Sequence, residues 1–203
     1  MTLDVLAAAD TISSALHDLT TDIAQSVVLV RGSMGGSGCG VIWNQPGLVI
    51  TNHHVVPGRS AELTVAGGRR LVGRVIRRAP ALDLAALQVD GELPPGVRVG
   101  DSDALRVGDL VLAVGNPMGE RNAPSLGIIA STPHEVLRLS ITLRPGNSGG
   151  ALVNARGEVV GIPHMVTGSG LALAVATSTV RAFLQGADGE RPGDRDQDGL
   201  RWI

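Results

Sequence analysis

A serine set among glycines, at positions 146 to 150, is the part of this sequence best suited to covalent chemistry. The run reads Gly-Asn-Ser-Gly-Gly. Glycine tolerates positive φ and has no Cβ, so the backbone can turn tightly and approach a substrate carbonyl. The amide N–H groups of such a turn can also point at a developing oxyanion. Because a serine hydroxyl is a weak nucleophile, Ser148 needs an imidazole to take its proton and a carboxylate to orient that imidazole.

The order of the candidate partners along the chain separates the folds that share this serine motif. The run satisfies G-x-S-x-G, which fits both the α/β-hydrolases and the trypsin-like proteases. α/β-Hydrolases place an acid and then a histidine after the serine, but the only histidine downstream of Ser148 is His164, and no aspartate precedes it there. The order histidine, aspartate, serine is met by His53 or His54, followed by Asp83. The chain order therefore favours a trypsin-like arrangement.

Short β-branched runs separated by turn residues dominate the chain after residue 25, and we interpret them as twelve strands. They are Val27–Val30, Gly40–Trp43, Gly47–Thr51, Leu63–Ala66, Leu71–Arg77, Leu84–Val89, Leu110–Val114, Leu126–Ala130, Val136–Leu143, Ala151–Val153, Glu158–Ile162 and Leu171–Ala176. Many short strands at regular spacing are typical of a barrel or sandwich. A subtilisin-like order of Asp22, His54 and Ser148 is disfavoured, because that fold needs parallel strands joined by helices.

Two helices are predicted at the ends of this β-rich region. Apolar residues recur at helical spacing from Leu3 to Ile23. Thr177 or Ser178 can act as the N-cap of a second, short helix. We divide the chain into a helical extension (1–24), a domain (25–186) with a first barrel (about 25–100), a second barrel (about 106–176) and a helix (177–185), and a polar tail (187–203).

The composition limits the kinds of fold, partner and cellular location that we expect for this protein. The 203 residues, 43% of them hydrophobic, can bury a core as one domain or as two packed barrels. A net charge of −2 gives no electrostatic reason to expect binding to nucleic acid or to an anionic membrane. Cys39 is the only cysteine, so it cannot form an intramolecular disulfide, and we expect it to be buried. Neither a signal peptide nor a membrane span is evident, so we expect a cytoplasmic protein unless the sequence is a truncated form.

Three motifs together resemble those of the HtrA-type (DegP-like) branch of trypsin-like serine proteases. Residues 47–56, Gly-Leu-Val-Ile-Thr-Asn-His-His-Val-Val, are similar to the histidine motif, in which the catalytic histidine precedes a valine. That position selects His54. Residues 83–87 resemble the aspartate motif and residues 145–150 the serine motif, and the similarity covers about residues 25 to 185.

The resemblance implies an all-β, chymotrypsin-like double six-stranded β-barrel with its cleft between the barrels. It also implies a serine endopeptidase that works through an acyl-enzyme. Ser148 is then the nucleophile, His54 the general base and later the acid, and Asp83 the group that orients His54. The oxyanion hole belongs to the loop Gly146, Asn147 and Ser148, with the N–H groups of the first and last as donors and Asn147 shaping the loop.

By the same resemblance, Thr142 lies at the base of the specificity pocket, and Leu171, Ala172 and Leu173 belong to the strand that forms one wall. All four are uncharged, so we expect cleavage after small or medium aliphatic residues. The resemblance implies polypeptide substrates, in protein quality control or regulated proteolysis. It requires no metal or organic cofactor, and it leaves homo-oligomer formation open.

The sequence departs from the family pattern just before the serine. Residues 140–144 lack the aspartate and asparagine common there, Cys39 stands where a serine is usual, and we expect no PDZ domain. These departures keep a second hypothesis open, namely a catalytically silent protease fold that acts as a binding module.

The remaining polar residues are interpreted as structural. Alternation along a strand would point His53 away from His54. His134 and His164 are expected at the surface or in loops. Residues 194–199 match the first half of a calcium loop but lack its closing glutamate, so we interpret them as part of a solvated acidic tail.

Overall fold

The first half of the chain closes into an antiparallel barrel. Its strands are β1 (Val27–Gly32), β2 (Ser37–Ile42), β3 (Leu48–Thr51), β4 (Ser60–Thr64), β5 (Arg70–Ala79) and β6 (Leu84–Val89). Neighbours pair in the order β1-β2-β3-β6-β5-β4, and β4 pairs with β1 to close the ring. The structure is a computed structural model that describes residues 2–116, 123–133, 135–166, 170–186 and 201–202.

The second half forms another six-stranded antiparallel ring. Its strands are β7 (Leu110–Gly115), β8 (Ala123–Ser131), β9 (Val136–Ser140), β10 (Ala151–Asn154), β11 (Val159–Val166) and β12 (Ala172–Ala176). They pair in the order β10-β7-β8-β9-β12-β11, and β10 also pairs with β11. A two-residue strand, β13 (Arg201–Trp202), adds to the end of β11. The predicted chymotrypsin-like double barrel is confirmed.

Helices flank the two barrels as the sequence predicts. Helix α1 covers Thr2–Ala24 and helix α2 covers Thr177–Gln185. The predicted cap of α2 is wrong, because neither Thr177 nor Ser178 caps the helix with its side chain. The Thr177 hydroxyl donates to the carbonyl of Gly100, and the hydroxyl of Ser102 accepts the N–H of Ser178 at 3.0 Å. The cap is therefore supplied by the segment that connects the barrels.

Strand β6 is buried on both faces, which explains its continuous apolar sequence. Ala85 and Leu87 pack inside the first barrel. Leu84 and Ala86 face a separate hydrophobic cluster that also contains residues of the second barrel and of α2. Those partners include Leu112, Val153, Ile162 and Phe183. Asp83, the residue just before β6, consequently lies at the junction of the two barrels.

Several strand boundaries differ from the prediction, and two of the differences, at β4 and β9, have a local cause. The strand expected over Leu63–Ala66 covers Ser60–Thr64 instead, because Gly67 and Gly68 adopt positive φ in a 3₁₀ turn that follows it. The strand expected to reach Leu143 ends at Ser140, and the chain then leaves the sheet for the serine loop.

Two further sequence interpretations concern membranes and the tail. In the described part of the chain, no helix has the length and apolarity needed to cross a membrane. His134 and residues 187–200, which include most of the expected acidic tail, lie outside the described residues.

Candidate active site

Asp83 anchors the turn that carries the two histidines. It follows the 3₁₀ turn Pro80–Leu82 and has a left-handed φ of 52°, which is uncommon for a residue other than glycine. Its backbone carbonyl accepts the N–H of His53 at 3.1 Å and the Nδ2 of Asn52 at 3.0 Å. The backbone before β6 therefore fixes the backbone after β3.

Both carboxylate oxygens of Asp83 engage His54. Oδ2 lies 2.8 Å from His54 Nδ1, and Oδ1 accepts the backbone N–H of His54 at 3.0 Å. The Asp83 side chain is 4% exposed and that of His54 is 25% exposed. A carboxylate can only accept, so we assign the proton to Nδ1, which leaves the lone pair of the neutral ring on Nε2. This is the tautomer that a general base requires.

His164 is the residue that the sequence interpretation missed. It was expected at the surface or in a loop, but it is 7% exposed within β11, and its Nδ1 lies 3.6 Å from Asp83 Oδ2. That distance is a polar contact somewhat longer than a normal hydrogen bond. The predicted strand ended at Ile162 because Pro163 lacks the N–H that a strand ladder uses. A strand continued past Pro163 would have placed His164 within the sheet of the second barrel rather than in a loop.

The surroundings of Asp83 favour its charged form. Burial alone would raise the pKa of this carboxyl, since it disfavours a charge. The contacts with His164 and then with His54 outweigh burial and hold the pKa of Asp83 below its ordinary value. The carboxylate is therefore ionised at neutral pH.

His53 and His54 both lie in a turn after β3, so strand alternation does not separate them as expected. Arg78 does. Its Nη1 lies 3.3 Å from His53 Nδ1. Partial burial, and then the charge of Arg78, lowers the pKa of His53. His53 is thus a neutral ring beside a guanidinium, whereas His54 contacts the carboxylate.

Both barrels hold the loop that contains Ser148. The backbone N–H of Cys39, on β2, donates to the carbonyl of Ser148 at 2.8 Å. The N–H of Gly149 donates to the carbonyl of Pro163, on β11, at 3.0 Å. Within the loop, the N–H of Asn147 donates to the carbonyl of Arg144 at 3.0 Å. Ser148 itself is fully buried.

The thiol of Cys39 also contacts the loop that contains Ser148. Sγ contacts the carbonyl of Gly146 at 3.1 Å and accepts the backbone N–H and the Nδ2 of Asn116 at 3.1 and 3.2 Å. Burial raises the pKa of Cys39 to about 12, so it remains a neutral thiol. Its predicted burial is confirmed. Among the described residues, no group of three His, Cys, Asp or Glu side chains could hold a metal ion.

Two short routes of contact bring Ser148 into one cluster with His54 and Asp83. A Cβ placed on Gly38 would lie 2.8 Å from the carbonyl oxygen of Ser148 and 2.8 Å from a methyl of Val55, the neighbour of His54. On the other side, Pro163 bonds to the residue after Ser148, and the next residue along the chain, His164, contacts Asp83. The serine loop, His54 and Asp83 are therefore all held at or near the barrel junction.

The predicted pocket residues lie on and near β9 and β12. Thr142 is exposed, two residues after the end of β9. Leu171 and Leu173 are half-buried, and Ala172 packs in the hydrophobic cluster inside the second barrel. Leu173 lies directly opposite Arg138 in the pairing of β12 with β9, so these two side chains share a face of the sheet.

A family model described as "Trypsin-like peptidase domain" matches residues 36–162, well over half of the chain. The chain belongs to the trypsin-like peptidase family. The two barrels and the serine loop described above are those expected of a member of this family.

Relatives within the trypsin-like peptidase family carry protease names. A Synechocystis sp. protein named "Putative serine protease HhoB" is 36% identical over 160 residues, which is 70% of this chain and 38% of that protein. A Chlamydia trachomatis protein named "Probable periplasmic serine endoprotease DegP-like" is 33% identical over 144 residues, 66% of this chain and 29% of that protein. The chain thus spans less than half the length of these curated relatives.

A solved structure agrees with this assignment. The "HtrA-type protease AlgW with tripeptide" matches with a TM-score of 0.77 and 29% sequence identity, over 85% of this chain and 63% of that one. The HtrA/DegP-like resemblance noted in the sequence is therefore confirmed.

The tight approach between β2 and the serine loop predicts that Gly149 tolerates no side chain. Its φ is 78°, and an added Cβ would lie 2.2 Å from the Cys39 carbonyl oxygen and 2.5 Å from Thr51 Oγ1. We expect Gly149→Ala to lower the thermal denaturation midpoint by several degrees and to abolish any reactivity of Ser148. Gly67→Ala is the matched control, because its φ of 81° carries the same strain but nothing lies within 4 Å. Equal melting temperatures for the two variants would contradict this account.

Proposed function

We propose that this domain is a serine endopeptidase that cleaves polypeptides through an acyl-enzyme. The observation that carries the proposal is the 2.8 Å contact between His54 Nδ1 and the buried, ionised Asp83 at the barrel junction, where the loop of Ser148 is held by both barrels. Such a carboxylate holds the imidazole in the basic tautomer and stabilises it once it is protonated. The protease names of the relatives support the same activity.

In the proposed reaction, the Ser148 Oγ attacks the scissile carbonyl carbon while its proton passes to Nε2 of His54. The resulting imidazolium is stabilised by Asp83 across the Nδ1 contact. When the C–N bond breaks, His54 returns the proton to the leaving amine, and the acyl group remains on Ser148. Water then attacks the ester with the same base, which releases the acid and restores the hydroxyl. Every step uses groups of the chain and water alone.

The oxyanion hole in this proposal consists of the N–H groups of Gly146 and Ser148. Three contacts support a fixed loop shape. Cys39 contacts the carbonyl of Gly146 through Sγ and donates its backbone N–H to the carbonyl of Ser148. Within the loop, the N–H of Asn147 donates to the carbonyl of Arg144. A preorganised donor of this kind contributes about 3 kcal/mol to the transition state.

We propose a preference for small or medium aliphatic residues before the scissile bond. Thr142, Leu171, Ala172 and Leu173 offer no carboxylate to bind a basic side chain. Arg138, opposite Leu173, places a positive charge on that face of the sheet and would repel lysine or arginine.

The second candidate is a binding module that has the protease fold without activity. The observation that favours it is the complete burial of Ser148, together with the atypical sequence of residues 140–144. A substrate carbonyl must reach Ser148 for catalysis, so accessibility of the hydroxyl separates the two candidates.

Labelling with a fluorophosphonate probe tests the proposed nucleophile directly. We expect the wild-type chain to be labelled, because the probe reacts only with a serine activated by its base. Ser148→Ala should lose all labelling, and His54→Ala should lose nearly all of it. Ser140→Ala, an exposed serine on β9, is the matched control and should label as the wild type does. Absence of Ser148-dependent labelling, beside a reference serine protease that labels, would favour the binding module.

Digestion of a peptide library with mass-spectrometric readout tests the predicted specificity. We expect Val, Ala, Ile or Leu to precede most cleaved bonds. Arg138→Glu should raise cleavage after lysine and arginine, since the repulsive charge is replaced by an attractive one. Predominantly basic residues at the cleavage sites of the wild-type protein would overturn the proposed pocket.

A further inference from the structure

The Asp83 carboxylate lies between two imidazoles that come from different barrels. His54 approaches from the turn after β3, with Nδ1 at 2.8 Å from Oδ2, and His164 approaches from β11, with Nδ1 at 3.6 Å from the same oxygen. Asp83 and His164 are 3% and 7% exposed. The trypsin-like mechanism uses only one of these rings, and the triad does not account for the position of the second.

The position of His164 along β11 links it to the nucleophile as well. The preceding residue, Pro163, accepts the N–H of Gly149 through its carbonyl at 3.0 Å. Two consecutive residues of one strand therefore hold the serine loop and contact the acid.

We propose that His164 is a positioning residue for the reaction: it presents a ring N–H to Asp83 Oδ2 and thereby fixes the carboxylate against His54. This inference rests on the proposed function. A carboxylate carries one negative charge, so it can neutralise one imidazolium. While His54 holds the proton of Ser148, His164 acts as a neutral donor.

The other charged and titratable groups near this carboxylate lie on the first barrel. His53 and Arg78 contact each other at 3.3 Å, and the carbonyl of Asp83 accepts the backbone N–H of His53. Arg78 belongs to β5 and also donates to the carbonyls of Pro57 and Gly58. In the second barrel, the described group that contacts the carboxylate is His164.

Three substitutions separate positioning from simple packing. His164→Leu introduces an apolar side chain of similar volume and removes both ring nitrogens. His164→Asn places an amide where Nδ1 lies, so it can donate to Asp83 without titrating. His164→Gln places its amide farther along the side chain, where Nε2 lies, and replaces the leucine variant if that variant fails to fold. His17→Asn, on the exposed face of α1, is the matched control.

Steady-state kinetics on a peptide ester across pH test the proposal. Misplacement of a catalytic group lowers kcat by roughly 10-fold to 100-fold, so we expect a loss in this range for His164→Leu, with KM within about twofold. In this variant the acid limb of the pH profile of kcat/KM should move to higher pH. Asp83 has then lost one donor, so its carboxylate binds the protonated ring of His54 more strongly. His164→Asn should restore most of kcat and the position of that limb. Wild-type kinetics in His164→Leu, or equal damage in the asparagine and leucine variants, would overturn the proposal.

A second readout remains informative if the chain hydrolyses no substrate. In the Ser148→Ala background, NMR titration of the histidine rings follows the environment of His54 without any turnover. We expect His164→Leu to move the His54 titration and His164→Asn to leave it close to that of the parent, with His17 as the internal reference. An unchanged His54 titration in the leucine variant would contradict the proposed contact between His164 and Asp83. A wild-type chain that is not labelled at Ser148, with the expected His54 titrations, would contradict only the proposed function.

Discussion

The buried negative charge of Asp83 is the constraint on which the site depends. An isolated carboxylate in an apolar environment is strongly unfavourable, so it must be surrounded by donors. The two histidine rings at Oδ2 and the backbone N–H of His54 at Oδ1 meet this need. His54 is placed by the turn after β3, His164 by β11, and the carboxylate by the residue before β6, so satisfying the charge fixes these three elements relative to one another.

The barrel junction extends this constraint to the nucleophile. A hydrophobic cluster shared by both barrels and α2 brings β2, β6 and β11 together behind the site. Backbone bonds from Cys39 and Pro163 then hold the serine loop on its two sides, and Gly149 lets β2 approach within contact distance. The loop has no sheet of its own, so its shape comes from the barrels that it joins.

Much of this arrangement follows from local sequence patterns. The β-branched runs predicted the strands because β-branched apolar side chains pack well on the buried faces of a sheet. The order of His54, Asp83 and Ser148 along the chain indicated which side chains to expect in one site. Contacts set by tertiary packing were not predictable in this way. His164 was missed because Pro163 obscured the continuation of β11, and the cap of α2 was assigned to local hydroxyls whereas Ser102 supplies it from 76 residues away. The role of Cys39 Sγ beneath Gly146 likewise depends on residues 107 positions apart.

The pH dependence of thermal stability tests most directly whether the ionised Asp83 organises the site. Its pKa in the folded protein lies below the ordinary value of 3.8, so its charge stabilises the fold above that pH, and this stability is lost as the pH falls through the folded pKa. The gap in melting temperature between the wild type and Asp83→Asn should therefore be widest near pH 6 and narrow below about pH 4. Asp10→Asn, an exposed site on α1, should show no such change. A gap for Asp83→Asn that stays constant from pH 6 to pH 3 would contradict the account.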